Sequence, residues 1–196
     1  MKKAIEDTLS VALTLAAVVI ATVVVWRQFG AATPVQVSTE PEFYADWRAL
    51  LPGGILIGDA AAPIKILEFA DLECPFCRQF HQTALHEVKE ELGAKVAVVF
   101  IHFPLEMHRF AKQAAKATEC AEQQERFAEF VDVVFDKQDS IGLKSWTSYA
   151  REAHVPDSSE YIQCLNSRGA FARIVSGLAM GERAGIRSTR TVFVNG

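Results

Sequence analysis

Basic residues are neither abundant nor clustered in this chain of 196 residues. The sequence has 20 lysines and arginines against 24 aspartates and glutamates, so its formal net charge at pH 7 is −4. Proteins that bind nucleic acid usually concentrate their basic residues in one patch or stripe, often with aromatic residues between them. Because the sequence has no such stretch, we expect no nucleic acid among the partners of this protein.

Cysteine is also scarce, and the spacing of the four cysteines limits their chemistry. Cys74 and Cys77 form the single closely spaced pair, whereas Cys120 and Cys164 stand apart from it. Thiolate zinc sites usually combine two closely spaced pairs, so we expect no metal and no cofactor. For Cys120 and Cys164, a structural disulfide is the preferred interpretation, and a second redox relay or a zinc site are the alternatives.

Long apolar runs are absent except near the N-terminus. From Thr8 to Trp26, 19 residues carry no charge, and a helix of that length spans roughly 29 Å, against about 30 Å for the hydrocarbon core of a bilayer. A cleaved signal peptide is the alternative, but its apolar region usually has only about 7–15 residues. We therefore predict one N-terminal transmembrane helix, which anchors the chain through residues 1–29, and a linker over residues 30–40.

The charges around this segment predict on which side of the membrane the rest of the chain lies. Lys2 and Lys3 precede the apolar run, and only Arg27 closely follows it. The positive-inside rule therefore places the N-terminus in the cytoplasm. We expect a membrane-anchored protein whose main domain is extracytoplasmic, on the periplasmic or cell-surface side, where the surroundings are oxidising.

The stretch from Ile64 to His81 has the layout of a redox site. An apolar run suited to a buried strand is followed by Cys74-Pro75-Phe76-Cys77 and then by an amphipathic segment. Pro75 suits the first position of a helix, which places Cys74 at the N-cap, where the helix dipole and the first N–H groups stabilise a thiolate. The sequence therefore predicts Cys74 as the nucleophile and Cys77 as the resolving thiol.

Two ionisable residues near the cysteines are candidates for proton transfer. Glu68 lies within the apolar strand, and burial there would raise its pKa and suit it to accept a proton near neutral pH. The alternative is that Glu68 faces outward and pairs with Lys65 or a later lysine. His81 lies one turn after Cys77, where it either moves protons or is a packing or solvated residue.

The periodicity of the whole chain predicts an α/β fold. Apolar runs predict strands at Ile55–Ile57, Ile64–Ala70, Lys95–Phe103 and Thr191–Val194. Helical spacing predicts helices at Pro41–Leu51, Pro75–Leu92, His108–Ala121, Gln124–Lys137, Leu143–His154, Ser159–Ser167 and Gly169–Arg183. Most of the helices fall between the third and fourth strands, so a helical block is inserted between strands of the sheet.

Taken together, these motifs resemble the DsbA-like thiol-disulfide oxidoreductases. The similarity lies in Glu68-Phe69-Ala70-Asp71, in the Cys-Pro-Phe-Cys motif with the following Arg78 and His81, in Phe103-Pro104-Leu105, in Cys120-Ala121 and in the segment from Gly185 to Gly196. It implies a thioredoxin fold with an inserted all-helical domain, preceded here by the transmembrane helix. The expected divisions are a first thioredoxin-like part over residues 41–106, a helical insertion over 107–178 and a second, incomplete thioredoxin-like part over 179–196.

The resemblance also implies roles for single residues. Cys74 is then the attacking cysteine, Cys77 its partner and Glu68 the buried acid of the family. Cys120 and Cys164 resemble the second, structural disulfide of one branch. In the family a quinone-linked membrane protein, DsbB-like or similar to vitamin K epoxide reductase, reoxidises the cysteines, so we expect such a partner here.

The chain departs from the family pattern in two places. The family has a cis proline in a Gly-Thr-Pro-Thr loop opposite the cysteines, where this chain has Ser188-Thr189-Arg190-Thr191. A cis bond before a residue other than proline costs about 3 kcal/mol, so we expect a trans bond or a strained loop at Arg190. We expect Thr189 and Arg190 to bind substrate, with the guanidinium either stabilising the Cys74 thiolate or pointing to solvent. The family also continues with an edge strand and a helix, so the sequence is expected to be truncated at its C-terminus.

These observations predict an extracytoplasmic enzyme that forms or exchanges disulfides in exported proteins that contain cysteines. Whether it oxidises, reduces or isomerises is left open by the sequence. One alternative is a non-catalytic module with a thioredoxin-like fold that binds a partner or unfolded chains. Another is a metal site formed by Cys74 and Cys77 of two chains in a dimer.

Overall fold

The structure, a computed structural model, describes residues 2–29, 41–169 and 171–196. The chain divides into two compact units, Met1–Glu42 and Phe43–Gly196. The predicted linker over residues 30–40 lies outside the described residues.

The first unit contains one long helix, α1 (Lys2–Phe29). Its side chains from Ser10 to Trp26 are all exposed. Among the helices that the structure describes, none combines the length and the apolar character needed to cross a membrane.

The second unit is built around a four-stranded sheet. The strands are β1 (Ile55–Ile57), β2 (Ile64–Ala70), β3 (Val96–His102) and β4 (Thr191–Val194), in the spatial order β1-β3-β2-β4. The central strands β2 and β3 run parallel, with Ile64 opposite Val96, and both outer strands are antiparallel to their neighbours. The four predicted strands are confirmed to within one residue.

The segment after β2 is helical from Pro75 to Leu92 but is not a single α-helix. It consists of α2 (Pro75–Phe80), a π-helical turn (His81–Leu85) and α3 (His86–Leu92). Gly93, at φ +52°, ends it as predicted. The prediction of one uninterrupted helix is wrong at the π turn, a feature that is often found near functional sites.

Five helices lie between β3 and β4. They are α4 (Ala111–Glu122), α5 (Phe127–Asp136), α6 (Trp146–Glu152), α7 (Ser158–Asn166) and α8 (Ala172–Arg183). Two have side-chain caps, because Ser145 accepts a hydrogen bond from Ser148 N, and Asp157 accepts bonds from Ser159 N and Glu160 N. All five predicted helices are present, with ends that differ by at most three residues.

Helix α8 packs against the sheet. A Cβ at Gly177 would lie 2.2 Å from the His102 carbonyl oxygen, so only glycine allows this approach of α8 to β3. Met180 is buried in one core with Leu67 and Ile101. The predicted division between residues 178 and 179 therefore falls inside a helix that contacts the sheet.

The short element before β1 also differs from its prediction. The sequence predicts an α-helix over Pro41–Leu51, and the structure has a 3₁₀ helix at Trp47–Gly53. Its Trp47 and Leu50 are buried on the same sheet face as Met180. Pro52 and Gly53 lie inside this 3₁₀ helix, whereas the sequence predicts that the helix ends before them, at Leu51.

Candidate active site

The site lies where the central strand β2 meets the helical insertion. Ala70, Leu72, Cys74 and Cys77 share a buried cluster with residues of α4 and α5 such as Phe130. Strand β2 thus delivers the Cys-x-x-Cys to a position enclosed by the sheet on one side and by the insertion on the other.

The local geometry of the motif follows from Pro75. Helix α2 begins at this proline, and Cys74 is its N-cap with extended backbone angles (φ −77°, ψ 120°), as the sequence predicts. The N–H of Cys74 donates to the Asp71 carbonyl at 3.0 Å, which fixes the turn between strand and helix. Cys74 is 3% exposed and Cys77 is fully buried, and both are free thiols.

The two cysteines differ sharply in acidity. The pKa of the Cys74 thiol falls from 9.0 to about 5, mainly because the Cys77 thiol donates a hydrogen bond to the Cys74 thiolate. Burial acts in the opposite direction, and the Thr189 hydroxyl and the backbone N–H groups of Cys77 and Phe76 lower the pKa further. The pKa of Cys77 is raised, first by the same hydrogen bond and then by burial. At neutral pH the pair is therefore one thiolate and one thiol.

Thr189 faces the nucleophile from the loop before β4. Its hydroxyl oxygen is buried and has no hydrogen-bond partner among the described residues, so the hydroxyl is available as a donor to the Cys74 thiolate, whose pKa it lowers. The peptide bond between Thr189 and Arg190 is cis. The prediction of a trans bond at Arg190 is therefore wrong, because the loop has the cis form although it lacks a proline.

Arg190 lies on the outer side of the same loop. Its Nη1 donates to the carbonyl oxygen of Phe76 at 3.3 Å, and its guanidinium carbon lies 5.2 Å from the centre of the Phe80 ring. The charge of Arg190 acts on Glu68, whose pKa it lowers. The groups that stabilise the Cys74 thiolate most are Cys77 and Thr189.

Glu68 is completely buried in β2, and neither of its carboxylate oxygens has a hydrogen-bond partner among the described residues. Burial raises its pKa from 4.5 to about 8, against the opposing effect of Arg190 and with a further increase from Cys74. The alternative in which Glu68 faces outward and pairs with Lys65 is wrong, since Lys65 Nζ bonds to three backbone carbonyls, the shortest contact being 2.6 Å to Ala62. Glu68 also raises the pKa of Cys77.

Two residues without a predicted role hold the motif in place. Asp71 is 2% exposed, and its carboxylate accepts bonds from Leu105 N and His108 Nδ1, each at 2.8 Å. Gln138 Nε2 donates to the carbonyls of Leu72 and Cys74. The role of Asp71 could be predicted from its position between the β2 strand and the Cys-x-x-Cys motif. No sequence pattern links Gln138 to the cysteines.

His81 packs between the motif helix and the insertion. Its Nε2 lies 2.6 Å from Asp132 Oδ1 on α5, and its ring lies 4.9 Å from that of Phe135. This arrangement favours the packing interpretation of His81, because its polar contact is with the insertion.

Cys120 and Cys164 are joined by a disulfide, with Cα atoms 5.7 Å apart. It connects α4 to α7 within the insertion. Within the ranges that the structure describes, no group of three or more His, Cys, Asp or Glu residues is placed to hold a metal ion.

Comparisons with known proteins agree with this geometry. The sequence model of the family described as Thioredoxin matches residues 51–196. Among solved structures, alpha-DsbA1 of Wolbachia pipientis is 30% identical, with a TM-score of 0.60 over 74% of this chain and 77% of that one. Oxidised BdbD of Bacillus subtilis has a TM-score of 0.66 over 74% of this chain and 83% of that one, and at 19% identity it shows a similar fold alone.

The curated relatives are much longer proteins. The Na(+)/H(+) antiporter NhaA 1 of Mycolicibacterium vanbaalenii is 34% identical over 138 residues, which are 69% of this chain and 22% of that protein. The chain thus spans about a fifth of the length of the curated relatives it matches. From the family match over residues 51–196 and the similarity to alpha-DsbA1 of Wolbachia pipientis, we conclude that the chain belongs to the thioredoxin family and is DsbA-like.

Proposed function

We propose that the chain is an extracytoplasmic oxidoreductase that forms or exchanges disulfides in exported proteins through Cys74 and Cys77. The observation that carries this proposal is the acidity of Cys74, whose pKa is about 5 beside a Cys77 thiol whose pKa is raised. A dithiol whose reduced form is stabilised by a thiolate makes an oxidising disulfide, which supports the oxidising direction.

The proposed reaction has two exchange steps. A substrate thiolate attacks Sγ of Cys74 in the Cys74–Cys77 disulfide, a mixed disulfide forms, and Cys77 leaves as a thiolate that takes up a proton. A second substrate thiolate then attacks the substrate sulfur of the mixed disulfide, and Cys74 leaves as a thiolate. The substrate loses two electrons, which the two cysteines gain.

Glu68 is suited to supply the proton that Cys77 needs. It is buried without a hydrogen-bond partner, its pKa of about 8 keeps it largely protonated at neutral pH, and its charge acts directly on Cys77. We assign Glu68 as the group that gives a proton to Cys77 in oxidation and takes it back in the reverse direction.

The loop at Thr189 and Arg190 offers a place for the substrate chain. The loop immediately precedes β4, at the edge of the described sheet, and neither residue forms a backbone hydrogen bond within the described ranges. An extended substrate segment would find unpaired N–H and C=O groups there, beside Cys74.

For the place of action and the redox partner, the support is the sequence and its resemblance to the DsbA-like proteins. The apolar N-terminal segment and the lysines before it support a membrane anchor with the oxidoreductase unit outside the cytoplasm. Reduced Cys74 and Cys77 must lose two electrons before another turnover. We propose a quinone-linked membrane protein as their acceptor.

The test is a pair of assays with one protein preparation, oxidation of a dithiol peptide and reduction of insulin. Oxidised protein should convert one equivalent of the peptide to its disulfide, and Cys74→Ser should abolish this. In the insulin assay, Cys77→Ser should accumulate the mixed disulfide between Cys74 and insulin, because the resolving thiol is missing. No turnover in either direction, with Cys74 still open to alkylation, would contradict the proposal and favour a non-catalytic binding module.

A further inference from the structure

Arg190 carries a positive charge on the active-site surface that no acidic side chain neutralises. It is exposed and forms no ion pair within the described residues, whereas Arg78 pairs with Asp139 at 3.0 Å and Arg173 with Glu119 at 2.8 Å. Of the five N–H groups of the guanidinium, one bonds to a protein acceptor, the Phe76 carbonyl. The remaining donors are available to a ligand.

The guanidinium is nevertheless held in place. The hydrogen bond to the Phe76 carbonyl and the Phe80 ring beneath it hold the charge against α2, next to the two cysteines. A charge fixed in this way loses less conformational entropy on binding than one on a free side chain.

The carboxylates nearest the motif are buried or already bonded. Glu68 and Asp71 are buried, and Asp71 accepts its hydrogen bonds within the protein. Glu73 Oε2 accepts from Phe110 N at 2.6 Å, and Asp139 pairs with Arg78. The exposed charge beside Cys74 is therefore positive.

The Arg190 charge is tied to the motif by two neighbours. Thr189, whose hydroxyl lowers the pKa of Cys74, precedes Arg190 in the chain, and Phe76, whose carbonyl accepts from the guanidinium, lies between the two cysteines in sequence and is 62% exposed. The residue next to the attacking cysteine of a substrate must then lie close to the guanidinium.

We propose that Arg190 selects substrates that carry an aspartate or glutamate next to the reacting cysteine. A carboxylate there can accept two hydrogen bonds from the planar guanidinium, whereas a lysine is repelled. This inference rests on the proposed function and names the substrate class that the site prefers.

Three synthetic cysteine peptides test it. They share one sequence except at the position next to the cysteine, which is Glu, Gln or Lys, and the rate at which each reduces the Cys74–Cys77 disulfide of the full chain is measured at a pH that gives them equal thiolate fractions. The Glu peptide should react about fivefold faster than the Gln peptide, and the Lys peptide more slowly still. At 1 M NaCl the rates should converge to within about twofold.

Variants at Arg190 separate charge from structure. Arg190→Lys should keep most of the preference, Arg190→Gln should remove it, and Arg190→Glu should invert it in favour of the Lys peptide. Arg187→Gln is the matched control, because it removes one exposed positive charge three residues away and should leave the ratio of rates unchanged. A change in redox potential or folding alters all three rates together and leaves their ratio in place.

Failure of the selection by Arg190 can be distinguished from failure of the proposed function. Equal rates for the three peptides at low salt, or a preference that survives Arg190→Gln, would overturn the selection by Arg190 and leave the oxidoreductase function standing. If no peptide reduces the disulfide, the proposed function fails and the inference fails with it. The salt series on the unaltered chain tests the preference even if a variant does not fold.

Discussion

At the scale of single residues, the site depends on a buried carboxyl group to which the described residues donate no hydrogen bond. Glu68 has no hydrogen-bond partner, and burial in β2 raises its pKa to about 8. Burying an unpaired carboxylate costs folding free energy, and proteins keep such groups where their proton is used. The cost of burying Glu68 can therefore be measured as a loss of unfolding free energy. Its dependence on pH tests the raised pKa on which the proposed role of Glu68 rests.

Glu68→Gln should make stability less dependent on pH. Between the unfolded pKa of 4.5 and the folded pKa of about 8, the folded chain keeps a proton that the unfolded chain has lost, so stability falls as pH rises through this window. The loss amounts to a few kcal/mol by pH 9, and the variant should escape it. Urea unfolding of the oxidised protein at pH 5, 7 and 9 measures this, because in that state Cys74 and Cys77 do not titrate. Burial, the largest cause of the raised pKa of Glu68, remains in that state, but the contribution of the Cys74 charge is absent, so the fall in stability ends at a somewhat lower pH.

The control for this experiment is Glu106→Gln, an exposed glutamate that pairs with Lys112. It should keep the pH dependence of the unaltered chain. If Glu68→Gln shows the same fall in stability between pH 5 and pH 9, the assignment of the raised pKa to Glu68 is wrong.

Thr189→Val should make Cys74 less acidic. The substitution keeps the shape of the side chain and removes the hydroxyl that donates to the thiolate. Hydrogen bonds to charged groups contribute about 1.5–3 kcal/mol, so the pKa of Cys74 should rise by roughly one to two pH units from about 5. Titration of the ultraviolet thiolate absorbance measures the pKa directly.

Thr191→Val is the matched control, because the Thr191 hydroxyl bonds to the Ser188 carbonyl at 2.9 Å and is exposed. It should leave the pKa of Cys74 where it is. A pKa in Thr189→Val that equals that of the unaltered chain would show that the backbone and Cys77 alone stabilise the thiolate.

At the scale of elements, polar side chains join the insertion to the thioredoxin-like part. On one side of the site, Arg78, His81 and Gln82 contact Asp139, Asp132 and Asp136 at distances of 2.6–3.0 Å. On the other, Glu119 of α4 contacts His102 of β3 at 3.2 Å and Arg173 of α8 at 2.8 Å. Burial alone would raise the pKa of Glu119, but these two partners outweigh it and lower the pKa. The active-site helix is thus held against α5, and β3 against α4 and α8.

Removing the disulfide should weaken the insertion without altering the redox site. Cys120 and Cys164 are 44 residues apart. A cross-link over such a loop lowers the conformational entropy of the unfolded chain and stabilises the fold by about 4 kcal/mol at 25 °C. The double variant Cys120→Ala, Cys164→Ala should therefore unfold at clearly lower urea concentration. At a temperature where it is folded, it should oxidise dithiol peptide at a rate within about twofold of the unaltered chain, since α4 and α7 supply none of the proposed catalytic groups.

Treating a Cys74→Ser, Cys77→Ser chain with a reductant and an alkylating agent gives an independent comparison of stability, because it opens the same bridge without substituting Cys120 or Cys164. A double variant as stable as the unaltered chain would show that the helices hold the insertion together without the cross-link. A large loss of activity in the folded variant would instead place the bridge in the redox chemistry.

At the scale of the whole molecule, the sequence predicts features that neighbouring residues determine. It does not predict contacts between segments that are far apart in the chain. Apolar runs bounded by glycine and proline give β1, β2 and β4 to the residue, and Pro75 gives the N-cap position of Cys74. The hydroxyl of Thr189 on Cys74, and the amide of Gln138 on the carbonyls around it, depend on how remote segments pack. The cis bond before Arg190 is likewise not what the sequence predicts, since a residue other than proline strongly prefers the trans form.

The last prediction concerns where the molecule acts, and it follows from the N-terminal segment. If the N-terminal segment is the anchor we propose, the full chain should bind stably to phosphatidylcholine vesicles and float with them in a density gradient, through the 19 uncharged residues from Thr8 to Trp26. Replacing Val18 and Ile20 together by arginine should abolish flotation, since each arginine at the centre of such a helix costs about 2.5–3.5 kcal/mol on insertion. The matched control is Val175→Arg, which changes an equally exposed apolar residue on α8 and should still float. If the double arginine variant floats as well, the segment does not anchor the chain, and the oxidoreductase reaches its substrates in some other way.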